Sequence, residues 1–241
     1  MEIKVKHVST REEAADLAIA GWEPIECSFG TEGSVLGRFA LDHHGDESGR
    51  EGVALRAYRD HFGALEHDPR FVVTGDADED ATFAIGALCG ILPHPSRGKS
   101  ARDVSGLAAL INAMDVDPIS AGPSVSDHPF GAAYLLWGQL ASGTQDATAF
   151  HAGVDRWRLL LGPSAPGALM AAAAAQESER VRMARSAHHG LLGEHVALVE
   201  SDLAWGFDVW YSERPGTPFV VCFSPMSGSV TMPDRPSEQR M

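Results

Sequence analysis

Three acidic clusters carry side chains able to bind a divalent cation and to move protons. Asp42-His43-His44 lies in the stretch LDHHGDES, directly after the apolar-leaning run VLGRFA. Asp76, Asp78 and Asp80 alternate in GDADED, between the β-branched run RFVV and the apolar run ATFAIGALCGIL. Asp115 and Asp117 close the run LINAMDVD. Carboxylates packed together resist joint ionisation unless a cation lies between them. Imidazole with carboxylate suits Mn, Fe or Zn, whereas oxygen ligands alone suit Mg or Ca. GDADED does not complete a calcium loop, because Ala81 stands where the turn needs Gly and Ala87 where a bidentate Glu is needed. Each cluster also has a plainer reading: a polar strand end for residues 42 to 44, and a solvated turn with Asp80 as helix N-cap for GDADED.

The elements that must position these groups alternate between strand and helix. EIKVKHV alternates apolar and charged residues, which predicts a half-buried strand over 2–8. STREEAADLAIAG carries a capping box, Ser9 with Glu12, and stops at Gly21. EPIECSF and GRFALDH are short strand candidates, the second predicting a strand over 38–43. REGVALRAYRDHFG puts Val53, Leu55, Tyr58 and Phe62 on one helical face. RFVVTG predicts a strand over 71–75, followed by a helix apolar nearly all round and by a further helix in VSGLAALINAMD. This order predicts an α/β fold with a mostly parallel sheet and flanking helices. In such sheets ligands bind beyond the carboxyl ends of the strands, where two of the acidic clusters fall.

The second part reads differently. Residues 130 to 187 predict three helices, and His188-His189 reads as a cation pair closing the last of them. HVALVE, WGFDVWYS, PFVVCFS and GSVTM then predict strands of a small C-terminal antiparallel sheet. The expected domains are residues 1–141, α/β and metal-binding, and residues 142–241, helical plus β.

Composition narrows the function classes. With 19 Lys+Arg against 33 Asp+Glu the formal net charge is −14. That surface repels long nucleic acid, so a small-molecule substrate is expected. No apolar run reaches the length of a membrane span, and the N-terminal stretch lacks the apolar core of a signal peptide. Cys27, Cys89 and Cys222 are widely separated and form no CxxC pair, which fits a cytoplasmic setting. A homodimer is compatible with this composition.

ALDHHG, then GVALRAYRDHFG, then LINAMDVDPI, in that order, resemble the DHH phosphoesterase superfamily, in particular its metal-dependent hydrolases and exonucleases. The similarity covers residues 38 to 64 and 105 to 119. It implies a divalent-metal phosphoesterase, with manganese the expected cofactor and Mg, Fe or Zn the alternatives. By position it implies that His43 ligates metal and that His44 contacts the phosphate as the catalytic residue. It further implies Asp115 as the last metal aspartate, and Asp42 as a ligand or as the group orienting His43. The family's opening His-x3-Asp-x-Asp segment is not present after the first strand, where only His7 stands. Asp76 and Asp78 are the expected local substitutes. Arg50, first of three arginines following the histidines, is the candidate phosphate ligand. The expected activity is hydrolysis of a small phosphorylated or nucleotide-like substrate. Amide hydrolysis on the same metal, or a non-catalytic binding role, are the alternatives.

Overall fold

Three short strands, β1 (Lys4–His7), β2 (Glu23–Ile25) and β3 (Arg70–Val73), form an all-parallel sheet in the order β1-β3-β2. The computed structural model describes residues 2–47, 49–94, 104–141, 146–191, 195–202, 206–214 and 219–231. His7 and Ile25 both pair with Val73, so all three strands end at the same level. The central strand is the most apolar: Phe71, Val72 and Val73 are buried. The expected alternation of β1 appears as an exposed and half-buried pattern, as fits a sheet edge.

Helix α1 (Arg11–Ile19) begins one residue later than its capping box suggests: Thr10, not Ser9, is the N-cap and accepts from the Glu13 N–H at 3.3 Å. The strand expected at 38–43 shrinks to a single parallel bridge between Leu41 and Ile25. Its backbone groups are taken elsewhere. The N–H groups of Arg38 and Phe39 donate to the buried Glu23 carboxylate, and Ala40 turns to a φ of 51°. Gly37 is required beside that carboxylate, since a Cβ there would lie 2.4 Å from Pro24 and 2.7 Å from Glu23.

Helices α2 (Val53–Asp60), α3 (Glu79–Leu88) and α4 (Ser105–Val116) follow, with the short α5 (Pro118–Ala121) after them. The α3 segment is buried from Asp80 to Leu88, as its all-round apolarity predicts. Helices α6 (Gly131–Gln139), α7 (Ala147–Leu161) and α8 (Gly167–Ser186) match the three expected ones. The expected boundary at 142 falls outside the described residues. Packing continues on both sides of it, because Trp157 of α7 donates to Thr82 of α3 at 3.1 Å and stands edge-on to Phe83. Trp137 of α6 stacks on Trp157 and donates to the Gly153 carbonyl at 3.0 Å. Burying one such indole, roughly 200 Å², stabilises by ~5 kcal/mol.

The C-terminal sheet, in order β4 (His188–Leu191), β5 (Val196–Glu200), β6 (Phe219–Phe223), β7 (Val230–Thr231), is mixed rather than antiparallel. β5 and β6 run parallel and therefore need a crossover. WGFDVWYS, expected as a strand, supplies it as helix α9 (Phe207–Ser212). Trp210 and Tyr211 stand three and four residues after Phe207, so one helical face packs all three rings. His188-His189 directly follows the Ala187 C-cap of α8, and there it opens the edge strand β4. No helix among the described residues is long and apolar enough to cross a membrane.

The α3–α7 contact leaves no space for a side chain at Gly153, where a Cβ would stand 2.6 Å from the Thr82 methyl and 3.1 Å from the Trp137 ring. Gly153→Ala is expected to destabilise the protein by about 1–3 kcal/mol. Urea unfolding of the two proteins measures it, and an unchanged midpoint would mean that this packing is looser than described.

Candidate metal centre

Four separate segments converge beyond the carboxyl end of the parallel sheet. Glu26 leaves β2, His43 follows the Leu41 bridge, Asp80 is the second residue of α3 and Asp115 lies in the last turn of α4. His43 Nε2 stands 2.9 Å from Glu26 Oε1, 2.8 Å from Asp115 Oδ2 and 3.6 Å from Asp80 Oδ2. One ligand atom from each of the four lies within 4.8 Å of every other, a spacing that could hold a divalent metal ion. The group is buried, with the side chains of Glu26 and His43 each 7% exposed and Asp115, at 25%, the most open. Glu26, His43 and His44 form a second, overlapping group: His44 Nε2 lies 3.4 Å from the same Glu26 Oε1.

The first turn of α2 holds this arrangement together. The N–H groups of Val53 and Ala54 each donate to one Asp80 oxygen at 2.8 Å, so a helix N-terminus faces the buried carboxylate. The Gly52 N–H donates to Asn112 Oδ1 at 2.6 Å, tying the same turn to α4 one turn before Asp115. A Cβ at Gly52 would stand 3.2 Å from both Asp80 oxygens and 3.3 Å from Asn112. One turn on, Arg56 donates to the carbonyls of Ala40 and Asp42, both at 2.7 Å. The Glu26 N–H donates to the carbonyl between them, Leu41 O, at 2.9 Å. Glu26 and Ala40, at φ 52° and 51°, are the two non-glycine residues with positive φ among the described residues. That conformation costs such residues about 1 kcal/mol or more and persists where surrounding contacts impose it.

The electrostatics show surplus negative charge. Burial pushes the Asp80 carboxyl up, the charges of Glu26 and Asp115 add to it, and it reaches about 7 despite the two backbone donors. Asp78 is raised too, by burial and then by Glu26. Burial also acts to raise Glu26, but hydrogen bonds from His43 and His44 outweigh it and hold that carboxyl down at about 2. Burial acts to lower His43, and its bonds to Asp115 and Glu26 outweigh this and raise it to about 10. Without metal, the His43 imidazolium is thus the group that holds the carboxylates together. A divalent cation at the same point would replace a single positive charge with a double one.

Of the expected ligands, the structure brings together His43 and Asp115. Asp42 is fully buried, yet its Oδ1 accepts from the His44 backbone N–H at 2.8 Å and does not orient the His43 ring. Asp76 is exposed and stands outside the converging set. Asp78 is the N-cap of α3, accepting from the Ala81 N–H at 2.9 Å, and so takes the role expected of Asp80. His44 does not turn away from His43 as a continuing strand would require. The chain bends there, and the two rings lie 4.2 Å apart. Arg50 is half-exposed and paired with Glu47. Sequence reasoning missed Glu26 and Asp80 as ligands. The visible signal for Glu26 was an acidic residue inside the apolar run EPIECSF; for Asp80 it was an acid directly before the apolar run ATFAIGALCGIL.

No family model, curated protein or solved structure matches the chain.

Three outcomes follow from the geometry and charge. Cation binding must expel the His43 proton at any pH below about 10, and below about 7 the Asp80 proton as well. Mn²⁺ affinity is therefore expected to rise by about tenfold per pH unit above neutrality and more steeply below it. Calorimetric titrations in buffers of different ionisation enthalpy count the protons. In the metal-free protein the His43 contribution to stability is complete below 6.5 and is lost as pH rises through about 10, because its folded pKa is the raised one. Mn²⁺ is also expected to raise the melting temperature of wild type and of Asp76→Asn but not of His43→Ala, by an amount equivalent to about 2.7 kcal/mol at a hundredfold excess over Kd. Equal shifts in all three would place the metal elsewhere.

Proposed function

We propose that this chain is a divalent-metal-dependent hydrolase of phosphate esters or anhydrides in small, nucleotide-like substrates, with manganese the favoured cation. The observation that carries the reading is the convergence of Glu26, His43, Asp80 and Asp115, whose ligand atoms share one 4.8 Å sphere of approach. Three carboxylates and one imidazole suit Mn, Fe or Zn better than an all-oxygen cation. The resemblance of LDHHG and its following segments to the DHH phosphoesterases points the same way.

A cation held by these four residues would act as a Lewis acid on a phosphoryl oxygen and make water acidic enough to attack at neutral pH. The remaining work falls to the chain. Glu26, directly after β2, with Asp80 of α3 and Asp115 of α4, would hold the cation from fixed positions. His44, with half of its side chain exposed beside Glu26, is open to a substrate from solvent. Its pKa is raised, chiefly by the hydrogen bond to Glu26. In its protonated form it can give a proton to the leaving oxygen or steady the charge there. Arg50 can reach a phosphate once released from Glu47.

The test is metal analysis of the purified protein with a Mn²⁺-dependent screen on phosphoesters. Turnover that requires Mn²⁺ is expected. His44→Ala should keep the metal and lose turnover by about 10²–10⁴-fold, whereas His43→Ala should lose both. Bound metal without turnover of any phosphoester would move the reading to amide hydrolysis or to a binding protein, and absence of metal binding would remove it.

A further inference from the structure

Arg56 touches none of the four converging side chains, yet its guanidinium spans the turn that delivers two of them. Nη1 and Nη2 donate to the carbonyls of Ala40 and Asp42, at 2.7 Å each, on either side of the Leu41 carbonyl that receives the Glu26 N–H at 2.9 Å. Three successive carbonyls, 40 to 42, are thereby fixed from two directions. The residues with positive φ, Ala40 and Glu26, are the ones this clamp flanks. The same helix presents its N-terminal N–H groups to Asp80 three and two residues earlier in the chain. One rigid element therefore sets Asp80 through its backbone and the His43-bearing turn through Arg56.

We propose that Arg56 is a positioning residue for the metal centre: by bridging the Ala40 and Asp42 carbonyls it fixes His43 and Glu26 at ligating distance from Asp80. The inference rests on the metal reading above. The planar fork matters as much as the charge, since it presents two donors in one fixed geometry, whereas an ammonium on a flexible stem does not. The residue belongs to positioning and not to phosphate binding, because two of its donors are already committed to backbone oxygens.

Arg56→Lys and Arg56→Met are compared with wild type for Mn²⁺ affinity by calorimetry, for the Mn²⁺ electron paramagnetic resonance spectrum, and for melting temperature without metal. Loss of a group that orients metal ligands weakens affinity by about 10–100-fold. The expected order is wild type, then Lys about tenfold weaker, then Met about a hundredfold weaker, measured well below the melting temperature and with altered spectra. A purely structural role would lower the melting temperature and leave affinity and spectrum of the folded variants unchanged, and that result overturns the proposal. Failure of both variants to fold overturns it as well, since Arg56 would then hold the fold and not the centre. If wild type itself binds no Mn²⁺, the metal reading fails first and this inference falls with it. Wild-type binding with unchanged variants removes this inference alone.

Discussion

The two backbone N–H groups of Val53 and Ala54 that hold the Asp80 carboxylate are the contact around which the rest of the centre is arranged. A carboxylate 2% exposed is costly to bury unless it is hydrogen-bonded. The start of α2 answers that need with two donors and the positive end of a helix dipole. Each oxygen keeps a lone pair directed elsewhere, so the anchoring contact does not use up the group. Gly52 favours the arrangement, because a Cβ there would crowd the Asp80 and Asn112 side chains at 3.2–3.3 Å. From that contact the other elements follow: α4 is tied in through Asn112, and the turn before His43 through Arg56.

The same chain handles buried charge in two opposite ways. Between α8 and α9, Arg180 forks onto both Glu177 and Asp208 at 2.6–2.9 Å, so each acid there meets a guanidinium. That network joins two elements, and each of its two carboxylates is hydrogen-bonded by the guanidinium. At the sheet end, Glu26, Asp80 and Asp115 converge on His43, and burial drives the Asp78 and Asp80 carboxyls up. A fold tolerates such a concentration where function requires it, and like-charge carboxylates held rigidly are what a cation binds most strongly. Tyr134 on α6 registers the same field: burial, then the charges of Glu79, Asp115, Asp78 and Asp80, push its hydroxyl up.

The local pattern made the elements legible. The all-round apolarity of ATFAIGALCGIL led directly to a buried α3, and the alternation of EIKVKHV to a half-buried strand, because each property depends on residues adjacent in the chain. WGFDVWYS misled for the converse reason. Its aromatic residues favour strand locally, but β5 and β6 pair in parallel, and a parallel pair needs a crossover that this segment alone is placed to supply. The strand expected at 38–43 failed because its N–H groups went to Glu23 and its carbonyls to Arg56, partners 15 and 14 or 16 residues away.

The sequence by itself determined that the protein is α/β, that its charge is strongly negative, and that Asp115 sits near a helix end. Tertiary structure decided which carboxylates face His43. Glu26 and Asp80 enter the centre, and Asp76 stays outside it, because side-chain direction depends on where β2 ends and on how α2 meets α3. The residues that meet at His43 are 17, 37 and 72 positions away along the chain. No spacing rule connects such positions; the packing of α2 against α3 and α4 does.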